Sequence, residues 1–183
     1  MRLLKEHRPI LLFLAKFLGL YFVLNLAYGF YIESFGTLAD PLTYWVTGQT
    51  ISVLDLFYDG LDYEYYPYDT YIWMSLDKEV ILNAYEGCNG INVLILFLSF
   101  IVAYQGKLKP SILFTIAGIL IIHVSNILRI VLLFMVALKF PEYMYFTHKY
   151  LFTGIIYAVV FFLWYLWIKK VNKGVKGEEE MSE

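Results

Sequence analysis

Long stretches with almost no charge constrain the fold of this chain more than any other feature. They cover about residues 10–32, 87–104, 110–138 and 150–168. A helix of about 20 apolar residues is long enough to cross a bilayer. The chain is also 60% hydrophobic and only 16% charged, whereas ordinary soluble domains are about 25% charged. We therefore predict an all-α integral membrane protein with about four transmembrane helices.

The first apolar stretch follows a basic start that contains Arg2, Lys5 and Arg8. A secretory signal peptide begins in a similar way, but its apolar core has only about 7–15 residues. The run here is longer, and no small-x-small cleavage site follows it. We expect a retained helix, with Lys16 extending toward the cytoplasmic side.

Lysine and arginine are concentrated in three short flanks: the N-terminus, the 105–109 loop and the tail from residue 169. Such flanks face the cytoplasm in multi-pass proteins. Both termini are therefore expected in the cytoplasm, with the 33–79 segment and the 139–149 loop on the outer side of the membrane. We predict one membrane-embedded domain over residues 1–168 and a charged, disordered cytoplasmic tail at 169–183.

The outer segment 33–79 is acidic and rich in tyrosine. Within it, residues 41–54 are uncharged but too few to cross a bilayer, so an interfacial or partly buried helix is expected. Residues 71–76 and 80–85 have β-forming composition and are joined by Asp77-Lys78, which predicts a hairpin. The second strand would lead the chain to its only cysteine.

That cysteine, Cys88, lies in the stretch Glu86-Gly87-Cys88-Asn89-Gly90-Ile91, at the start of the second apolar run. A single cysteine excludes an internal disulfide and a C-x-x-C redox pair. The histidines show no metal-ligand spacing. We predict no metal, no cofactor and no nucleic-acid partner; membrane lipid is the expected surrounding.

The predicted topology brings three reactive side-chain types to one layer of the membrane. Cys88 lies at the outer end of the second helix and His148 at the outer end of the fourth. Arg129 is at most about 14 Å from the outer end of the third, at about 1.5 Å per residue. Its helical phase matches small residues that favour close helix packing, so it should point into the bundle; these residues are Ser111, Thr115, Gly118 and Ser125. Asn126 lies nearby on that helix and could bond the guanidinium or line the same cavity.

A thiolate, an imidazole and a guanidinium together suit acyl transfer. A nearby arginine lowers the pKa of a thiol, and a histidine can take the thiol proton and later protonate the leaving amine. The arginine can also stabilise the oxyanion.

Each residue has a simpler interpretation as well. Cys88 could be an inert apolar residue, Arg129 a structural charge satisfied by Asn126, and His148 an interfacial histidine. Glu86 could be a boundary charge or a partner of Arg129, and Asn89-Gly90 a turn or a helix cap.

At these positions the sequence resembles the exosortase/archaeosortase membrane transpeptidases. The matching pieces are Glu86-Gly-Cys88-Asn-Gly90-Ile at a helix start, Asn126-Ile-Leu-Arg129-Ile within a later helix, and His148 at the opening of the last helix. The tyrosine-rich segment and compact size are most similar to the F-type exosortase branch. The resemblance extends over about residues 10–168.

The resemblance implies an enzyme in the cytoplasmic (inner) membrane of a bacterium that cleaves a C-terminal sorting signal of secreted proteins at the outer face. Such a signal has a short motif, an apolar helix and a basic end. Cys88 would form a thioester with the upstream part and pass it to an unknown acceptor nucleophile. Cys88, Arg129 and His148 are then the catalytic residues, supported by Asn126, Glu86, Asn89 and Gly90.

Two other functions are compatible with the residues alone. A non-catalytic secretion or assembly subunit could use Arg129 to pair with a partner's carboxylate. Many members of the exosortase/archaeosortase family also have more membrane spans than the four predicted here. A small transporter is a further alternative, although no polar stripe recurs on the other helices. His123, nearer the middle of the membrane, is expected to be a buried histidine bonded within the bundle, with no assigned function.

Overall fold

A computed structural model of the chain describes residues 7–66, 68–104 and 108–180, with side chains at all of these except 108 and 173–180. The fold is mostly helical, as predicted. Its helices are α1 (Arg8–Glu33), α2 (Pro41–Leu54), α3 (Ile91–Ala103), α4 (Leu108–Lys139) and α5 (Phe152–Glu180). Three strands lie between α2 and α3: β1 (Leu61–Tyr65), β2 (Ile72–Leu76) and β3 (Glu79–Ala84).

In the described part of the chain, three helical stretches are long and apolar enough to cross a membrane: Arg8–Glu33, Lys109–Lys139 and Pro141–Asn172. This agrees with a multi-pass membrane protein. Helix α3 is shorter, with 13 residues, or about 20 Å at 1.5 Å per residue. It falls short of a hydrocarbon core of about 30 Å, so the fourth span stays a prediction.

Helix α3 occupies the middle of the bundle, in contact with α1, α4 and α5. The ring of Phe100 in α3 stacks on Trp164 of α5, with ring centroids 4.2 Å apart. Phe13 of α1 packs edge-on against the same Phe100 ring, at a centroid distance of 5.4 Å. Helix α1 buries no residue fully, which fits a helix that faces lipid along most of its surface. The core of the bundle, called the helix-side cluster below, consists of Val93, Phe97, Phe100, Ile101, Ile122, Ile156, Val160, Leu163 and Trp167.

The three strands form an antiparallel sheet in the order β1-β2-β3. The predicted hairpin is confirmed as β2 and β3, joined at Asp77 and Lys78, whose φ angles of 52° and 71° are left-handed. Two successive left-handed residues match the twist of a tight hairpin. Strand β1 was not predicted; it pairs with β2 from Leu61↔Leu76 to Tyr65↔Ile72.

A second core, the sheet-side cluster, lies where the sheet packs against α2 and α4. It contains Cys88 together with Val46, Ile51, Leu54, Ile72, Met74, Ala84, Ile130, Val131 and Phe134. Residues from the hairpin, α2 and the second half of α4 therefore surround the thiol. The sheet is thus part of the site's support and not a separate appendage.

Helix α2 confirms the helix predicted at 41–54. Asp40 caps it, because its carboxylate accepts hydrogen bonds from the amides of Leu42 and Thr43, each at 3.0 Å. Its buried face packs against α4. That contact reaches His123, whose Nε2 lies 2.7 Å from Gln49 Oε1.

The predicted loop at 139–149 is wrong, since the chain is helical almost throughout. A 3-10 turn (Pro141–Tyr143), an α-helical turn (Met144–Phe146) and a π turn (Thr147–Leu151) lead directly into α5. Hydroxyl groups support this path: Thr147 Oγ1 donates to the Tyr143 carbonyl at 2.9 Å, and Thr153 Oγ1 to the His148 carbonyl at 3.0 Å.

The predicted disordered tail is also wrong for most of its length, because the backbone of α5 stays helical to Glu180. Lysine and glutamate are good helix formers, and extending an existing helix avoids the unfavourable step of nucleation. Residues 181–183 and the 105–107 part of the predicted basic loop lie outside the described residues.

Candidate active site

The thiol sits on a tight turn between the sheet and α3. Tyr85 is extended, and Glu86–Cys88 forms a 3-10 turn in which the Cys88 amide donates to the Tyr85 carbonyl at 2.7 Å. Gly90 follows with a left-handed φ of 81°. A Cβ there would also lie 3.0 Å from Asn126 Cγ. Glycine therefore satisfies both the backbone conformation and the close approach of α4.

Asn89 fixes this turn to three helices. Its Oδ1 accepts the Ile91 amide at 3.0 Å at the start of α3. Its Nδ2 donates to Tyr28 Oη of α1 at 2.7 Å and to Thr43 Oγ1 of α2 at 3.1 Å. Thr43 in turn donates to the buried carboxylate of Asp40. Gly90 is the N-cap of α3, and Asn89 just before it binds the first amide of that helix and links the turn to α1 and α2.

Helix α4 supplies the second half of the site. Asn126 is fully buried, and its Nδ2 donates to the carbonyl oxygen of Cys88 at 2.7 Å. Its Oδ1 and the Nε of Arg129 are buried without a hydrogen-bond partner in the part of the chain that the structure describes. Asn126 thus holds the cysteine backbone and does not bond the guanidinium.

Arg129 influences both other predicted catalytic residues through its charge. Its positive charge acts on Cys88 and on His148. It also acts on Tyr85, whose carbonyl accepts the Cys88 amide. The charge of one half-buried guanidinium therefore affects both the thiol turn and the helical segment that carries the imidazole.

Burial dominates the electrostatics of the thiol. Cys88 is only 8% exposed, and this burial raises the pKa of the thiol. A backbone hydrogen bond at Tyr85 and the charge of Arg129 lower that pKa, while Glu86 raises it. The net direction is upward, so the resting thiol is protonated and needs a base to become a nucleophile.

His148 lies in the π turn Thr147–Leu151 and not in a loop. Single π turns within helices are frequent at functional sites. The imidazole is half-buried and lines the same groove as Tyr85. Between these described residues, no hydrogen bond joins the imidazole to the thiol, and such bonds often tighten only when substrate is bound.

Tyr85 is a site residue that the sequence did not indicate. It precedes the thiol turn, and a Cβ added at Gly87 would lie 2.9 Å from its ring Cζ. Burial raises the pKa of the Tyr85 hydroxyl, and Cys88 and Glu86 raise it further, while Arg129 lowers it. The ring therefore packs on Gly87, between the groove and the turn. The only sequence feature that could have indicated a role for Tyr85 is its position directly before Glu86-Gly87-Cys88.

Tyr28 and Thr43 were missed as well, because each was hidden in an apolar helix with nothing to show what its hydroxyl bonds. His123 lies apart from the thiol site: its ring stacks on Trp45 at 4.9 Å and bonds Gln49. Glu86 is half-buried, and its negative charge acts on Cys88 and Tyr85.

Comparison with known proteins decides the family. The model of the transmembrane exosortase family (Exosortase_EpsH) matches residues 7–167. This chain belongs to the transmembrane exosortase family. The family resemblance drawn from the Cys88, Arg129 and His148 motifs is thereby confirmed, while the F-type branch is not decided. No curated protein and no solved structure matches the exosortase.

Exosortases are generally cysteine transpeptidases, and this exosortase has one cysteine, buried in the described structure. The charge of Arg129 acts on this cysteine, whose backbone is held at both ends by hydrogen bonds. The half-buried imidazole of His148 lines the groove that reaches Tyr85. Within residues 7–66, 68–104 and 108–180, no group of three histidine, cysteine, aspartate or glutamate side chains is arranged to hold a metal.

Proposed function

We propose that this exosortase is a cysteine transpeptidase that cleaves a C-terminal sorting signal of secreted proteins at the outer face of the cytoplasmic membrane. The observation that carries the proposal is the position of α4. Asn126 holds the carbonyl of Cys88, and Arg129, one turn further along, acts on both the thiol and His148. This arrangement suits acyl transfer better than a passive structural role.

In the proposed reaction, His148 accepts the thiol proton and Cys88 Sγ attacks the carbonyl carbon of the scissile peptide bond. Arg129 stabilises the negative charge that develops on the thiolate and on the carbonyl oxygen. The C–N bond then breaks, and His148 returns the proton to the leaving amine. The thioester left on Cys88 is attacked by an acceptor nucleophile, which frees the thiol.

The supporting residues have positional roles in this scheme. Asn89 and Gly90 shape the turn that carries Cys88. Asn126 holds this turn against α4, the helix that carries Arg129, and Glu86 adds a negative charge within the turn. The apolar helix of the signal would cross the bilayer beside the bundle and bring its motif to Cys88. The tyrosine-rich segment and the short chain support membership of the F-type branch.

The test is processing of a co-expressed protein that carries a motif, an apolar helix and a basic tail at its C-terminus, taken from the same genome. Cys88→Ala, Cys88→Ser, Arg129→Ala and His148→Ala should each abolish processing while the amount of folded protein is unchanged. His7→Ala and Arg8→Ala, exposed at the start of α1, should process normally. Normal processing by Cys88→Ala would disprove the enzyme proposal.

A non-catalytic assembly subunit is the second candidate, because the buried Arg129 Nε lacks a hydrogen-bond partner among the described residues. A carboxylate from a partner helix would satisfy it. In that case Cys88→Ala would be silent, whereas Arg129→Ala would release a co-purifying membrane protein.

A further inference from the structure

Strand β3 has one edge that no other described strand covers. The sheet order is β1-β2-β3, so β2 pairs with one edge of β3 only. An uncovered edge presents a row of backbone N–H and C=O groups that can pair with another chain. In this protein that row precedes the thiol turn directly.

A groove of about 720 Å³ runs along this edge. Four successive residues of β3, 80–83, line it. Strand β3 has a bulge at Ile81, but Leu82 and Asn83 beyond it point to opposite faces, so the groove reaches the edge of the sheet. Tyr71 and Trp73 extend its lining onto one face. Ala137 of α4 and the 144–149 segment, including His148, line it as well.

The groove also reaches Tyr85, which directly precedes the thiol turn. Cys88 lies four residues beyond Ala84, a distance of at most about 14 Å even for extended chain. An occupant that follows β3 would therefore be guided toward the thiol, in a groove that His148 also lines.

Charge favours one kind of occupant. The described lining includes Lys149 and His148 and no carboxylate. Most other lining residues are aromatic or aliphatic. A neutral or acidic, largely apolar peptide complements such a groove, whereas lysine or arginine next to Lys149 would be repelled.

We propose that an extended segment of the polypeptide substrate binds in this groove as a fourth strand on β3, with its scissile bond at the Tyr85 end. The identity of the occupant as substrate rests on the proposed function, but strand addition does not require catalysis. Main-chain hydrogen bonds supply affinity in this binding mode, and pockets for alternate side chains supply selectivity.

The experiment uses the full chain with Cys88→Ala in lipid nanodiscs, so that binding is measured without turnover. The probe is a short peptide of alternating valine and threonine, added up to its solubility limit. Amide hydrogen exchange is then followed by mass spectrometry. Exchange in residues 79–84 should slow by about tenfold with the peptide, as expected for newly bonded amides, while β1, at the opposite edge of the sheet, should not change.

Two controls define the binding mode. The same peptide with methylated backbone nitrogens should give no protection, because it cannot donate to β3. Ala137→Trp, which fills the groove, should abolish protection, whereas Ala158→Trp, on an exposed position of α5, should leave it intact.

The proposal fails if β3 is not protected, or if the methylated peptide protects it equally. Protection that depends on protein concentration without peptide would indicate pairing between two copies and also overturn it. Failure of the proposed function would appear instead as normal substrate processing by Cys88→Ala. The binding experiment measures no processing, so the two failures are distinguishable.

Discussion

At the scale of single residues, the resting state of Cys88 differs from the sequence-based expectation. A neighbouring arginine was expected to lower the pKa of the thiol. Arg129 does act in that direction, but burial outweighs it. The charge of Arg129 therefore limits a rise in pKa and does not by itself create a thiolate.

This predicts how Cys88 reacts with a maleimide in membranes. Because only the thiolate reacts, labelling should increase with pH around a midpoint above that of an ordinary cysteine. Arg129→Ala removes a charge that lowers the pKa, so its midpoint should be higher still and its labelling at a fixed pH slower. Arg129→Lys keeps the charge and should resemble the unaltered protein. The labelling rate as a function of pH checks this.

Arg8→Ala is the matched control, since its exposed side chain lies at the start of α1, and it should leave the midpoint unchanged. An equal or lower midpoint in Arg129→Ala would contradict the electrostatic role given to Arg129.

The residues of the site were predictable to the extent that their chemistry is rare in a membrane. A lone cysteine and an arginine within an apolar helix stand out in the sequence, and topology suggested that they meet His148. Tyr28, Thr43 and Tyr85 do not stand out, because tyrosine and threonine are common at membrane boundaries. Their roles depend on hydrogen bonds and packing between distant segments, which only the folded chain defines.

At the scale of elements, local patterns predicted α2 and the β2-β3 hairpin well. Proline follows Asp40 at the start of α2, and Asp77-Lys78 separates two β-forming runs. Strand β1 was missed because its residues, Leu61–Tyr65, carry two acidic side chains and become a strand by pairing with β2. The π turn was missed because it depends on hydroxyl bonds to the backbone.

The contact between α3 and α4 gives a prediction at this scale. Gly118 of α4 packs directly on the fully buried ring of Phe97, with an added Cβ 2.7 Å from ring Cε1. Gly118→Leu should overpack this interface and destabilise the fold by about 1–3 kcal/mol. Its melting temperature in detergent should therefore fall clearly.

The neighbouring Ala117→Leu provides the comparison, because residue 117 is exposed and the larger side chain would enter lipid or detergent. Equal melting temperatures for the two variants would show that α3 and α4 do not pack as described.

At the scale of the whole molecule, the arrangement predicts on which side of the membrane each end of the bundle lies. Tyr68 near the sheet is 87% exposed, and Lys170 is exposed near the opposite end of α5. With Cys88→Ala as background, Tyr68→Cys should react with a membrane-impermeant maleimide in spheroplasts. Lys170→Cys should react only after lysis. The reverse pattern would contradict the orientation expected from the basic flanks.

The link between Asn126 and the Cys88 carbonyl also affects how the site responds to the bilayer. Helix α4 has 32 residues, about 48 Å at 1.5 Å per residue, and must tilt or protrude in a hydrocarbon core of about 30 Å. Bilayer thickness varies with lipid composition, and the tilt of a long helix varies with it. Asn126 and Arg129 lie on the same helix, so the cysteine backbone moves with the guanidinium as α4 tilts. The distance between the Cys88 thiol and the Arg129 guanidinium should therefore change little when the membrane thickness changes.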